Sequence, residues 1–239
     1  MKLSRLVLLI AIIAALLLLI AGPGTRLELW HFRTGFNLMR WSVYLAIGAS
    51  ALAALLLLIP RTRRGSALLL SISLLVSLAT LAMPLSMYRQ VQNLPRIHDI
   101  STDTIDPPAF VAVVPLRADA PNPVEHPGEE VAALQRSAYP DIVTLQTDAH
   151  IAIVFDHVLA LVEQLGWELV EAERDSGRIE ATDTTFWFGF KDDVVIRIRA
   201  SESGSMVDVR SKSRVGLSDV GANANRIRRF LDALDERLH

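Results

Sequence analysis

The segment from His98 to Asp106 carries the densest set of side chains that could do chemistry. It offers one imidazole, at His98, and three carboxylates, at Asp99, Asp103 and Asp106. Such groups can bind a metal ion or act as a general acid and base. The spacing of the carboxylates matches no calcium loop, and Ser, Thr and Asp beside prolines commonly cap and turn their own backbone. A structural role is therefore the favoured interpretation, with catalysis or metal binding as alternatives.

Cationic side chains alternate along two stretches that have the period of β-strands. Because every second residue of a strand points to the same face, these Arg and Lys residues share one face. Converging arginines beside the backbone N–H groups of a helix start form a reasonable anion site. Acids such as Asp208 and Glu180 could instead neutralise the cations in cross-strand pairs on a solvated face, and we favour this interpretation. The candidate anion ligands are Arg197, Arg199, Arg210, Lys212, Arg214 and Ser218.

Four aromatic residues, Phe186, Trp187, Phe188 and Phe190, form the densest aromatic patch in the C-terminal half. At strand spacing the three Phe side chains share a face, which predicts a place in the hydrophobic core. The alternative is an apolar groove that accepts a lipid or another hydrophobic ligand.

Signatures of the common enzyme classes are absent from the sequence. It contains no G-x-S-x-G, H-E-x-x-H, P-loop or dinucleotide fingerprint. It also contains no cysteine, which excludes thiolate nucleophiles and cysteine-based metal sites. The leading hypothesis is a non-enzymatic module, without a cofactor or an assigned metal, that binds a hydrophobic or anionic ligand or a protein partner. The alternative is an envelope enzyme or metal-binding protein that uses residues 98–106.

An α+β domain over residues 147–239 must position these side chains. Apolar residues at helical spacing predict a helix that begins at Thr147 or Asp148 and ends at Gly166, and a last helix that begins near Ser218 or Asp219. Short polar turns between the strands predict an antiparallel sheet, with both helices packed on its apolar face in a helix-grip-like arrangement. The four predicted strands span residues 167–172, 178–190 with a break expected near Thr184, 193–200 and 205–214.

The stretch from residue 86 to 146 contains most of the prolines of the chain, including Pro107, Pro108, Pro115 and Pro121. Proline lacks a backbone N–H and fixes its own φ, so regular helices and central strands are disfavoured. The sequence therefore predicts an extended lead-in that wraps around the domain.

Residues 1–85 form a membrane anchor of three predicted transmembrane helices, at about residues 3–22, 41–59 and 66–85. Each segment supplies about 20 predominantly apolar residues, the length that crosses a bilayer. Small residues let helices approach closely, so Ala46, Ser50 and Ala54 of the second helix are expected to face the third, at Ser73 and Ser77. No span carries an acid, which argues against a transporter.

The basic residues of the short loops predict the orientation of the anchor. Lys2, Arg5 and the cluster Arg61, Arg63 and Arg64 lie at one end, which places the N-terminus in the cytoplasm. The C-terminal domain is then periplasmic, on the bacterial inner membrane, with lipid and envelope proteins as the expected partners. From residue 86 onward, sixteen Lys and Arg stand against twenty-five acids, an excess that excludes a nucleic-acid partner.

Two motifs resemble a known family. The first is IHDISTD at residues 97–103, continued by Asp106-Pro107-Pro108 and Phe110; the second is RSKSRVG at residues 210–216, continued by Ser218-Asp219, Asn223 and Arg226-Ile227. In this order they resemble the two ends of the domain of unknown function 1499 family. The family has no established activity, so the resemblance supports the domain boundary and implies no site residues.

Overall fold

The computed structural model describes residues 2–238, which form two compact units. The first comprises the residues up to Gln92 together with Phe186–Gly189. The second comprises Asn93–Thr185 and the residues from Phe190 onward.

The first unit contains three long helices, α1 (Lys2–Arg26), α2 (Phe32–Leu58) and α3 (Pro60–Asn93). Their most apolar windows have mean hydropathies of 3.0, 2.0 and 2.2, so each is long and apolar enough to cross a membrane. The chain is thus a membrane protein with three candidate spans, as the sequence predicts. Each helix is longer than its predicted span. In particular, α2 begins just after His31, whose ring Nδ1 accepts a hydrogen bond from the Arg33 N–H and caps the helix.

Small residues of α2 pack against α1, which corrects the predicted pairing of α2 with α3. The hydroxyl of Ser42 donates to the Ala14 carbonyl at 2.7 Å, and Ala46 and Ala49 are buried. The hydroxyl of Ser50 instead donates to a carbonyl of its own helix. The buried residues of α2 therefore recur at intervals of three and four residues, as expected for one face of a helix. The prediction used a constant interval of four residues, which leaves that face after one turn.

The second unit is an antiparallel sheet with helices, and it confirms the predicted α+β class. The sheet order is β1-β6-β5-β4-β3, and the short strand β2 also pairs with β6. Because β5 and β6 are the longest strands and lie in the middle, their side chains dominate both faces. The elements are β1 (Asp99–Ser101), a 3-10 helix (Pro115–Arg117), α4 (Glu129–Ala138), β2 (Leu145–Thr147), α5 (Ile151–Gln164), β3 (Glu168–Glu173), β4 (Arg178–Thr184), β5 (Lys191–Ser201), β6 (Gly204–Ser213) and α6 (Ala222–Leu238).

The hydrophobic core lies between one face of the sheet and the helices α5 and α6. Ile196 and Val209 on the sheet are fully buried, as are Val158 and Ile227 on the helices. This is the apolar face that the alternation along β5 and β6 predicts.

The lead-in is only partly extended. α3 continues to Asn93, because no proline interrupts the chain between Pro84 and Pro95. The helix α4 lies between Pro127 and Pro140, and two glutamates in its first turn interact favourably with the positive end of the helix dipole. The prediction of a lead-in without helices is wrong at these two places.

The aromatic patch does not form a strand core. Phe186, Trp187 and Phe188 lie in the turn between β4 and β5, and Phe186 is 84% exposed. Phe188 is buried within the first unit, where its ring contacts that of Phe36 at 4.9 Å between centroids. The strand β4 ends at Thr184, where the sequence predicts a break, so the alternation assumed for the three Phe residues does not extend to the turn that follows.

Candidate functional site

The sheet face opposite the helices carries the predicted cations, and two of the five are buried. Arg210 is 3% exposed and Lys212 is 0% exposed. Both donate to the carboxylate of Asp99, itself fully buried: Arg210 from Nε and Nη2 at 2.9 and 2.8 Å, and Lys212 from Nζ at 2.9 Å. This first centre joins Asp99, from the segment 98–106, to Arg210 and Lys212, from the predicted anion site. All three side chains take part in ion pairs.

The pKa values at this centre follow from one carboxylate shared by two cations. Burial raises the pKa of Asp99, but the hydrogen bonds and charges of Arg210 and Lys212 outweigh it, so the pKa lies below its ordinary value. Burial lowers the pKa of Lys212 more than Asp99 raises it. Arg210 binds both carboxylate oxygens of Asp99, whereas Lys212 shares only one of them. The carboxylate therefore compensates the burial of the Lys212 charge less well than that of the Arg210 charge.

A second centre surrounds Asp193 near the start of β5, opposite Lys212 in the strand pairing. The guanidinium of Arg214 binds both its oxygens, with Nη2 at 2.7 Å from Oδ1 and Nε at 2.9 Å from Oδ2. Arg117 donates to the same carboxylate at 3.0 Å and is itself buried. The sequence does not indicate that Arg117 belongs to an ion-pair centre, because its position within the proline-rich lead-in suggests only a loop.

A third centre surrounds Asp208, which accepts hydrogen bonds from Arg197 at 3.0 Å and Arg199 at 2.7 Å. The same two arginines contact Asp103 and Asp106. Hydrogen bonds to its carboxylate from the N–H groups of Ile105 and Asp106 and the charges of the two arginines lower the pKa of Asp103, although burial opposes them. Three carboxylates thus neutralise two guanidinium groups, which leaves no positive charge for an anionic ligand.

The predicted sites are therefore resolved into separate structural centres. The cations of this face pair with carboxylates of the domain, and Arg199 stays partly exposed, but Arg210 and Lys212 are buried under the lead-in and not solvated as expected. The segment 98–106 does not act as one cluster, because Asp99 lies at the first centre whereas Asp103 and Asp106 lie at the third. Among residues 2–238, no group of three or more His, Cys, Asp or Glu side chains is arranged to hold a metal ion.

Ser218 also has a structural role. Its hydroxyl accepts a hydrogen bond from the Val220 N–H at 3.2 Å. The carboxylate of Asp219 accepts from the N–H groups of Gly221 and Asn223, just before and within the first turn of α6. This capping agrees with the predicted helix start, although α6 begins at Ala222.

A cavity of about 280 Å³ opens beside His98. Its apolar wall consists of Ile97, Pro127, Val131 and Leu217, and its polar groups are Arg96 and His98. Burial and then the charge of Lys212 lower the pKa of His98 below its ordinary 6.5, so the imidazole is neutral at pH 7. Arg96 is exposed, and no carboxylate of the described chain pairs with it. The only feature of the sequence that points to Arg96 as a residue of this cavity is its position two residues before His98.

The protein is of the class that joins three apolar helices to an α+β domain. One face of the sheet in this domain is covered by helices, and the other carries buried ion pairs. The family described as "Protein of unknown function (DUF1499)" matches residues 99–234, more than half of the chain, and the protein belongs to this family. The match begins at Asp99, the carboxylate of the first ion-pair centre. No curated protein matches the chain.

Proposed function

We propose that the α+β domain is a binding module that takes a small amphipathic anion in the His98 cavity. The single observation that carries the proposal is the pairing of an apolar wall with Arg96, an arginine that the domain leaves without a carboxylate. The other candidate arginines are occupied by buried or partly buried carboxylates, so they support a ligand site less well.

The charge balance around the cavity supports an anionic ligand. Asp99 compensates only one of its two buried cations, Arg210 and Lys212, so one positive charge remains beneath His98. Arg96 adds a second cation at the rim. A neutral imidazole at His98 can donate or accept one hydrogen bond without adding charge.

The size of the cavity limits the ligand to a small molecule or to one end of a larger one. Its volume of about 280 Å³ lies just below the range of small-molecule sites, which begins at about 300 Å³. A carboxylate or phosphate group joined to a short hydrocarbon chain matches both the arginine and the apolar wall. We do not favour an enzyme, because Asp99, Asp103 and Asp106 are all held in ion pairs.

The test uses hexanoate and hexanol, which have the same chain and differ in charge. Binding to the full-length protein in nanodiscs is measured by ligand-detected NMR. We expect saturable binding of hexanoate and binding about tenfold weaker for hexanol, since a hydrogen bond to a charged group contributes about 1.5–3 kcal/mol. Arg96→Gln should reduce hexanoate to the level of hexanol.

Two further variants separate the cavity from general effects. Arg229→Gln removes one exposed arginine of α6 that has no ion pair among the described residues, and it should leave binding unchanged. Val131→Trp should fill the cavity and abolish binding of both probes. Equal hexanoate binding by the wild type and Arg96→Gln would refute the proposal, and so would the absence of saturable binding in the wild type.

We also propose that the anchor lies in a bacterial inner membrane with the N-terminus in the cytoplasm and the α+β domain in the periplasm. The support is the excess of basic residues at Lys2, Arg5 and Arg61–Arg64. A phosphatase reporter that is active only outside the cytoplasm, fused after His239, should be active. A stably expressed but inactive fusion would reverse the assigned orientation.

A further inference from the structure

A second cavity lies within the first unit, among the ends of the three apolar helices. Its volume is about 160 Å³, and it opens between the start of α1 and the connection from α2 to α3. Polar groups from Arg61, Thr62 and Ser66 share the lining with apolar side chains from Leu56 and Leu70. A lining that combines polar and apolar groups fits the junction between a lipid headgroup and its acyl chains.

The electrostatics of this end favour a negative charge. Lys2, Arg5, Arg61, Arg63 and Arg64 are all exposed, and none forms an ion pair with any residue between 2 and 238. The sole acid before residue 99 is Glu28, which lies between α1 and α2 at the opposite end of both helices. Five cations therefore lie at this end of the helices without an ion-pair partner among residues 2–238, and one of them, Arg61, lines the cavity.

The helix ends add to the same effect. α1 and α3 both begin at this cavity, so the positive ends of two helix dipoles point towards it. The C-terminal end of α2 would oppose them, but the Leu56 carbonyl accepts from the Thr62 hydroxyl at 2.5 Å, and the Ile59 carbonyl accepts from the N–H groups of Thr62 and Arg63 at 3.1 and 3.0 Å. Two of the carbonyl groups that end α2 are thus already hydrogen-bonded.

The floor of the cavity is a fixed structure. The hydroxyl of Ser4 donates to that of Ser66 at 3.0 Å, which ties α1 to α3, and Leu70 is fully buried below. Gly65 lines the cavity as well, and a Cβ atom added there would meet no other atom within 4 Å. The space at Gly65 is therefore open, so a larger side chain can be introduced to block it.

We propose that this cavity binds the phosphate headgroup of an anionic phospholipid, with Arg61 as the direct cationic ligand. The proposal is specific to lipid because the apolar half of the lining would remain exposed beside a free phosphate ion. Basic pockets between transmembrane helices recognise anionic headgroups through this combination of charge and apolar contact. The site is separate from the His98 cavity, and either proposal can fail without the other.

The test is native mass spectrometry of the full-length protein in a neutral detergent, titrated with phosphatidylglycerol or phosphatidylcholine. A neutral micelle has no surface potential, so direct contacts dominate the difference between the two lipids. We expect preferential retention of phosphatidylglycerol. Arg61→Gln should weaken it by about tenfold or more, the factor that corresponds to a lost hydrogen bond to a charged group.

Two variants serve as controls of charge. Arg64→Gln removes one charge at the same end but outside the cavity lining, and Arg33→Gln removes one exposed charge beside the opposite ends of α1 and α2. Both should retain phosphatidylglycerol almost as the wild type does. Gly65→Leu should displace the lipid while the protein remains inserted, since leucine favours the helix over glycine.

Three outcomes would overturn the proposal. Equal retention of the two lipids by the wild type shows that the headgroup is not recognised. Equal weakening by Arg61→Gln and Arg64→Gln shows diffuse attraction without a site. Competition of inorganic phosphate with phosphatidylglycerol at equal concentration shows that the apolar half of the cavity contributes nothing, and the ligand is then a free anion.

Discussion

Replacement of Asp99 by alanine should destabilise the α+β domain by about 3–5 kcal/mol. The variant removes three hydrogen bonds from charged donors and leaves Arg210 and Lys212 buried without a carboxylate. Removal of one partner from a buried ion pair costs about this amount, because the remaining charge loses its compensation but stays out of water. Arg210 keeps the carbonyls of Pro108 and Val124 as acceptors, which limits the loss.

The assay is hydrogen exchange of the β6 amides in the full-length, detergent-solubilised protein. If these amides exchange by opening of the domain, a loss of 3–5 kcal/mol accelerates exchange by about two to four orders of magnitude. Asp119→Ala is the matched control, because Asp119 is an exposed acid of the same lead-in and should change stability by about 0.5 kcal/mol or less. An effect of Asp99→Ala below about 1 kcal/mol would refute the argument from burial.

The dependence on pH gives a second check of the same reasoning. The folded pKa of Asp99 lies below its unfolded value, so the folded domain keeps this carboxylate charged where the unfolded chain takes up a proton. Its contribution is therefore complete above about pH 3.9, the unfolded value, and is lost as the pH falls through the lower folded pKa. The difference in stability between the wild type and Asp99→Ala should shrink over that acidic range. A constant difference would show that the charge of Asp99 is not responsible.

Three further predictions concern other parts of the domain. Glu180→Ala should cost about 3 kcal/mol or more and speed exchange of the three lead-in amides that donate to this carboxylate, since each buried N–H left unpaired costs about 1–3 kcal/mol. Gln135→Ala should cost about 2 kcal/mol in urea unfolding, because the buried amide makes two hydrogen bonds to the backbone of β1. Burial lowers the pKa of His98 and His126, so the unfolded chain takes up protons at a higher pH than the folded domain does. The stability of the domain should therefore fall as the pH drops below about 6.5, and replacement of both histidines by Gln should reduce this fall.

Each of these has an outcome that contradicts it. Unchanged exchange at the three lead-in amides would show that Glu180 does not hold the lead-in. A loss below about 0.5 kcal/mol for Gln135→Ala would mean that water replaces the amide at the edge of β1. A wild-type stability that is constant from pH 7.5 to about 5.5 would remove the histidines as the acid-sensitive groups.

The parts of the fold that the sequence predicts are set by local periodicity. The apolar residues Val194, Ile196 and Ile198 identify the core face, since neighbours two apart in a strand share a face, and Arg197 and Arg199 lie on the other face. Gly166 at the end of α5 has φ +72°, the left-handed conformation that its predicted C-terminal position requires. The length of the apolar runs is enough to identify the three helices of the anchor.

The parts that the sequence does not predict depend on partners far apart in the chain. Arg210 pairs with Asp99, and Asp193 pairs with Arg117, across separations of 111 and 76 residues. A periodic pattern shows that these side chains share a face but not what covers that face. An expectation of a solvated surface was therefore natural for Arg210 and Lys212, and it is wrong because the lead-in lies over them. The His98 cavity was missed for the same reason, since its lining comes from three separate segments.

The proline-rich lead-in explains why the covered face must be charged. A segment of this composition forms few regular backbone hydrogen bonds, yet buried N–H and C=O groups need partners. Side chains of the sheet supply them: Glu180 accepts from three consecutive N–H groups, at Val111, Ala112 and Val113. Cations of β6 and the chain after it donate to four lead-in carbonyls, those of Pro108, Leu116, Val124 and Glu125. The charges of this face thus supply the hydrogen bonds that a neighbouring strand would otherwise provide to the lead-in.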